Sequence, residues 1–210
     1  MSESALREVQ FLLKLREHPH IVTVYDAFEE EGRYFCLIVE FCDGGDLERH
    51  IAKRAEAFRP FTDDEILDFA AQLASALNFA HRKSVMHRDI KPSNIFVTKA
   101  GQLAIGDFGV AKELEDELQS ANTVVGTPYY LPPEAVRGEA YTSKADLWAL
   151  GVVLYQLATL RKPFQASTLV QLARRIQFDE PEPLPPSRSS VLRTLIGMTL
   201  EKDPEKRASA

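Results

Sequence analysis

The run His87-Arg88-Asp89-Ile90-Lys91-Pro92-Ser93-Asn94 places a carboxylate, an amine and an amide within six residues, and Pro92 stiffens the loop between them. Thirteen residues beyond Asn94 lies Asp107-Phe108-Gly109, after a strand-like run and ending on a glycine that lets the backbone turn sharply. Hard oxygen donors suit a divalent cation such as Mg²⁺. A carboxylate can orient an attacking hydroxyl, and fixed positive charge steadies a moving anionic group. Those are the requirements of phosphoryl transfer. Each piece alone has a bland reading, since a lone Asp-Phe-Gly is more often a surface turn than a metal site. The ordered set HRDxKxxN, a strand pair, DFG and then GTxxYxxPE, ending at Glu134, is far harder to reach by chance.

The elements that must position these groups follow from apolar spacing. Ala5 to Leu15 has a helical pattern, closed by His18-Pro19-His20 because the residue before a proline disfavours helix. Strands are expected at Ile21–Phe28 and Tyr34–Phe41, joined by the acidic turn Glu29-Glu30-Glu31-Gly32. Asp43-Gly44-Gly45 reads as a flexible break between two lobes. Thr62 and Glu65 form a capping box opening a long amphipathic helix with Ile66, Phe69, Leu73, Leu77 and Ala80 on its apolar face. Asn94 to Val97 and Gln102 to Ile105 read as short strands around Ala100-Gly101. Asp146 to Leu160 is apolar on nearly every face, as a central buried helix would be, and Val191 to Leu200 is one more apolar segment.

Composition sets outer limits. The 210 residues suffice for one large domain or two lobes sharing a cleft, and 45% hydrophobic with 27% charged residues is ordinary for a globular chain. A net charge of −6 argues against a general nucleic-acid or anionic-membrane binder. Cys36 and Cys42 have no second pair to complete a zinc site and read as reduced thiols. No secretory signal and no membrane-spanning stretch is visible, so the expected location is cytoplasmic, with nuclear or cytoskeletal association left open.

The signature set resembles that of the eukaryotic protein Ser/Thr kinases, from about Ala5 to Arg207. The resemblance implies an α+β, protein-kinase-like two-lobe fold. Its incomplete small β-rich lobe would span residues 1–43, and its large, mainly helical lobe residues 44–210. It implies ATP and Mg²⁺ as cofactors and protein Ser/Thr side chains as substrates. Asp89 would be the catalytic base and Lys91 would neutralise the transferred phosphoryl, while Asn94 and Asp107 would hold Mg²⁺. Glu40 and Cys42 would lie in the hinge that meets adenine, Val39 would be gatekeeper, Asp46 would reach the ribose and Phe96 would stack under the base. Glu8 would pair with the ATP lysine, and Thr127 would contact Asp89 in the substrate-receiving loop. Arg88, helped by Lys112, would receive a phosphate on Thr123. Leu12, Val24, His87 and Phe108 would form a packed column, Asp146 would brace the catalytic loop, and Glu134 would pair with Arg207 in the interior.

Within that family, Gly106, Phe96, the run Gly126 to Leu131 and Asp146-Leu147-Trp148-Ala149-Leu150-Gly151 are similar to the NIMA-related kinases. The family's glycine-rich loop and strand lysine have no counterpart here: the first glycine is Gly32, and the only earlier lysine, Lys14, sits nearly opposite Glu8 on its helix. The expectation is a kinase-lineage chain that starts after the ATP lysine and turns over little by itself. A non-catalytic, pseudokinase-like binding or scaffold protein is the alternative.

Overall fold

The computed structural model describes residues 13–30, 34–108 and 128–210. Strands β1 (Val24–Glu30) and β2 (Tyr34–Val39) pair antiparallel, with Val24 opposite Val39 and Glu30 opposite Tyr34. Both differ from the sequence expectation. Ile21 is drawn away from β1 into a parallel bridge with Ile105, where Val22 N–H donates to the Ile105 carbonyl at 2.9 Å. The strand therefore begins three residues later and takes in Glu29 and Glu30, which had been read as turn. β2 stops at Val39 because Glu40 N–H turns to the Thr23 carbonyl, 2.8 Å away.

The Asp43-Gly44-Gly45 segment is a pinned turn, where a flexible break was expected. Gly44 N–H donates to the Val97 carbonyl at 3.0 Å and Val97 N–H to the Gly45 carbonyl at 2.8 Å. A Cβ on Gly44 would lie 2.5 Å from that Val97 oxygen, so only glycine permits the approach.

Helix α1 (Leu47–Glu56) follows at once, capped by Asp46, and the sequence reading missed it because only Leu47 and Ile51 turn inward. Helix α2 (Asp63–Arg82) carries the expected reciprocal capping box between Thr62 and Glu65. Its buried face is Ile66, Ala70, Leu73, Ala76, Leu77 and Ala80, while Phe69 is only partly buried. Asp63, in its first turn, accepts Ser189 N–H at 2.6 Å and Arg188 Nη1 at 2.8 Å. Those donors, backbone first, hold the Asp63 carboxyl down at about 2. After a 3₁₀ turn at Pro92–Asn94, β3 (Ile95–Val97) and β4 (Leu103–Ile105) form a second small antiparallel sheet. Both strands are a residue shorter than expected, because Asn94 belongs to the 3₁₀ turn and Gln102 N–H turns to the Thr98 hydroxyl at 3.2 Å.

Beyond the short α3 (Pro133–Val136), helix α4 (Ser143–Thr159) runs through the centre, buried from Ala145 to Ala158. Its start is fixed by Thr142, whose side chain accepts from Lys144 N–H, so it opens three residues before the expected Asp146. α4 packs between α2 and α6 (Ser190–Thr199). Gly151 sets the second of these distances, since a Cβ there would meet Thr199 Oγ1 at 2.6 Å. Helix α5 (Leu169–Phe178) was also missed, as only Leu172 and Ile176 are buried.

Arg207 ties the end of the described chain to α3. Its Nη1 and Nη2 reach Glu134 Oε1 and Oε2 at 2.6 and 2.9 Å, with both side chains buried. The remaining guanidinium hydrogens go to the carbonyls of Glu201, Lys144 and Lys202. Removing one partner strands a buried charge, so Arg207→Ala should cost roughly 3–5 kcal/mol in urea denaturation. An Arg207→Ala chain as stable as wild type would show that the pair contributes nothing.

Candidate active site

The catalytic-type loop is held from behind by one buried carboxylate. Asp146 accepts from the backbone N–H of His87 and of Arg88, each at 2.9 Å, from His81 Nε2 at 2.8 Å and from the Tyr141 hydroxyl at 2.9 Å. Burial pushes this carboxyl up, but the His81, His87 and Arg88 donors outweigh it, and its pKa lies below the ordinary value. With two consecutive amides fixed, Arg88 takes a positive φ of 68°, a conformation a non-glycine residue adopts only when its surroundings impose it. The chain then turns Asp89 outward.

His87 is fully buried and joins this loop to the next. Its Nε2 faces the Gly106 carbonyl at 2.8 Å and its Nδ1 faces Asp89 N–H at 3.2 Å. A carbonyl only accepts and an amide only donates, so the ring is neutral with its proton on Nε2. Burial lowers its pKa, consistent with that state. The same ring packs on Phe108, centroids 4.6 Å apart, and Val24 is buried as the column reading expected.

Asp89, Lys91 and Asn94 converge. Lys91 Nζ lies 2.6 Å from Asp89 Oδ2, and Asn94 Nδ2 donates to the same oxygen at 3.1 Å and to the Asp89 carbonyl at 2.9 Å. With its nitrogen so engaged, Asn94 keeps Oδ1 as the atom for a ligand. Asp107 has φ 54°, is exposed, and lines the same cavity.

That cavity holds about 730 Å³, within the range of small-ligand sites. Asp89, Lys91, Asn94 and Asp107 form its polar end, while Val24, Leu37, Val39 and Phe96 supply apolar wall. Glu40, Cys42 and Asp46 line it too, so every expected pocket residue is brought to one place. Asp46 does further work: it caps α1 by accepting Arg49 N–H at 2.8 Å and pairs with Arg49 Nε at 3.2 Å. The Cys42 thiol is pushed up, by burial and then by Glu40 and Asp43, and stays protonated. Sequence reasoning missed Leu15, Val22, Leu37 and Arg49 as lining residues, since their type and spacing match any strand or helix face. Glu8, Leu12, Lys112, Thr123 and Thr127 lie outside the described residues; Lys14 is exposed, as expected.

The donor set suits a nucleotide with a divalent cation: oxygen atoms from Asn94 and Asp107, a fixed amine, and an apolar slot floored by Phe96. No group of three or more His, Cys, Asp or Glu side chains forms a separate metal cluster among the described residues. No described helix is long and apolar enough to cross a membrane.

A family model for the protein kinase domain matches residues 1–210. The chain belongs to the protein kinase family. It is 40% identical over 208 residues to human serine/threonine-protein kinase Nek5, covering 99% of this chain and 29% of that protein. It is 39% identical over 207 residues to mouse serine/threonine-protein kinase Nek1, covering 99% of this chain and 17% of the relative. Mouse serine/threonine-protein kinase Nek3 is 39% identical over 209 residues, covering 100% of the chain and 40% of the relative. The chain thus spans well under half the length of these relatives, and the expected NIMA-related resemblance and α+β kinase-like fold both hold.

Gly106, singled out as a family mark, has a steric reason. A Cβ there would sit 2.6 Å from Phe96 Cε2 and 3.1 Å from Val22 Cγ2. Gly106→Ala should therefore displace the Phe96 ring and cost about 1–3 kcal/mol, with the penalty largely relieved in a Phe96→Leu background. Equal penalties in the two backgrounds, measured by urea unfolding, would break the link.

His87 also gives a pH dependence. Unfolding frees the ring to take up a proton at its ordinary value near 6.5, which the buried ring resists. The unfolded state then binds more protons as pH falls, and stability is lost below about pH 6.5. His18, lowered by burial and by His20, acts in the same direction. The urea midpoint should drop between about pH 7.5 and 5.5, before the carboxylates titrate; a level or rising midpoint would contradict the assignment.

Proposed function

We propose that this chain is the catalytic domain of a protein serine/threonine kinase, moving the γ-phosphoryl of Mg-ATP to Ser or Thr hydroxyls of protein substrates. The observation that carries the reading is the convergence of Lys91 and Asn94 on Asp89 at the polar end of a cavity that also presents Asp107. Asp89 positions the incoming hydroxyl and accepts its proton. Lys91, held beside it, supplies positive charge toward the transferred group. Asn94 and Asp107 hold Mg²⁺, which when bound neutralises charge on the phosphates. Glu40 and Cys42 meet the base by their backbone, Val39 and Phe96 enclose it, and Asp46 faces the sugar. Asp89, Asn94 and Asp107, the three whose loss would mark a non-catalytic chain, are all retained, which favours catalysis over a purely scaffolding role.

The same family also uses a glycine-rich loop and a lysine paired with a helix glutamate, and residues 1–30 contain no glycine and one lysine, Lys14. Turnover is therefore measured on these residues and on any longer form that contains them. Asp89→Asn should lower phosphate transfer to a generic protein substrate by about 10²–10⁴-fold while leaving nucleotide affinity nearly unchanged. Equal rates for wild type and Asp89→Asn would sink the assignment. Nucleotide binding with no Asp89-dependent transfer in either form would mark the scaffolding reading instead.

A further inference from the structure

A second cleft, of about 410 Å³, lies where His18 meets the outer face of α2 and, among the described residues, shares no lining residue with the active-site cavity. Ser75, Asn78, Phe79 and Arg82 recur at helical spacing on that face, and Lys83 follows at the helix end. Among the described residues the lining contains Arg, Lys, His, Ser and Asn but no carboxylate, in a chain whose net charge is −6.

The hydrogen bonds orient these groups. His18 Nδ1 accepts His20 N–H at 3.2 Å, so the proton of the neutral ring sits on Nε2 and is donated to Ser75 Oγ at 3.0 Å. Ser75 thereby keeps its own hydroxyl proton to give to a ligand. Lys83 Nζ is steadied 4.7 Å from the centroid of the Phe79 ring.

Cations in the last turn of a helix often serve only to answer its dipole. Here two of the terminal carbonyls already have backbone partners: Ala80 accepts from Lys83 and Val85 N–H, and His81 from Ser84 N–H. The His81 side chain is engaged by Asp146. Arg82 and Lys83 are left to line the cleft.

The geometry points to a binding site for a phosphomonoester, a phosphorylated Ser or Thr side chain of a protein segment, taken by Arg82, Lys83, Ser75 and Asn78 with Phe79 under the adjoining residue. A guanidinium fork, an ammonium and two neutral donors match the acceptor oxygens of a phosphate dianion. The cleft is several times larger than a phosphate group, which favours a phosphorylated side chain with its neighbour over the free ion.

The test is fluorescence anisotropy, without nucleotide, of a labelled phosphoserine peptide with Ala and Leu flanks, beside its unphosphorylated twin and with inorganic phosphate as competitor. The phosphopeptide should bind at least about tenfold more tightly than the twin. Arg82→Gln/Lys83→Gln should abolish that preference, whereas Asp89→Asn should retain it, which separates this cleft from the active site. Phosphopeptide should also protect Lys83 from amine acetylation in the wild-type chain, a readout that needs no variant. Equal binding of the twin overturns the proposal, as does a preference that survives the double variant with Lys83 unprotected. Inorganic phosphate binding as tightly as the phosphopeptide overturns the assignment to a protein segment.

Discussion

One buried carboxylate sets the geometry from which the rest of the site follows. Asp146 sits inside a helix that is apolar along nearly its whole length, where an unpaired charge would be costly. It is tolerated because four donors from three separate parts of the chain meet it, and two of those are consecutive backbone amides of the catalytic-type loop. Fixing two successive amides to one carboxylate leaves the loop almost no freedom at Arg88. The left-handed turn there is the consequence, and it presents Asp89 to the cavity. The interaction is structural in itself, yet it decides where the reactive groups stand.

A second constraint couples the loop that carries Asp89 and Asn94 to the one that carries Asp107. His87 is held between the Asp89 amide and the Gly106 carbonyl, so the loop bearing Asp89 and the one bearing Asp107 share a single neutral ring. Phe108 closes on the same imidazole, making the coupling apolar as well as polar. On the other side of Gly106, Phe96 comes so near that no side chain fits between them. Pocket floor, the Asp107 loop and the catalytic-type loop are therefore one packed unit. The Glu134–Arg207 pair does a comparable task lower in the fold, closing the chain end onto α3 through a fully satisfied guanidinium.

What could be read from the sequence was local or came as a dense motif. The capping box at Thr62 and Glu65 is contained in four residues, and the uninterrupted apolar character of α4 has one physical explanation, burial on all sides. The signature from His87 to Asn94 and at Asp107 restricts residue type at so many positions that the family, and with it the Glu134–Arg207 partnership, could be named. α1 and α5 escaped notice because each buries only two residues, too few for an apolar period to stand out.

Tertiary structure alone decided the remainder, because those features depend on partners distant in sequence. Ile21 leaves β1 only because Ile105 offers a bridge, and Gly44 is needed only because Val97 crosses it. The glycine pair looked flexible when judged by intrinsic backbone freedom, but two hydrogen bonds to β3 remove that freedom. The tautomer of His87 and the donor direction of Ser75 likewise depend on groups nineteen and fifty-seven residues away. The sequence determined which residues could do chemistry, since motif and residue type carry that directly. Their convergence on one oxygen of Asp89, and the gathering of basic side chains against His18, required the folded chain: contacts are set by distance in space, which the order of residues does not encode locally.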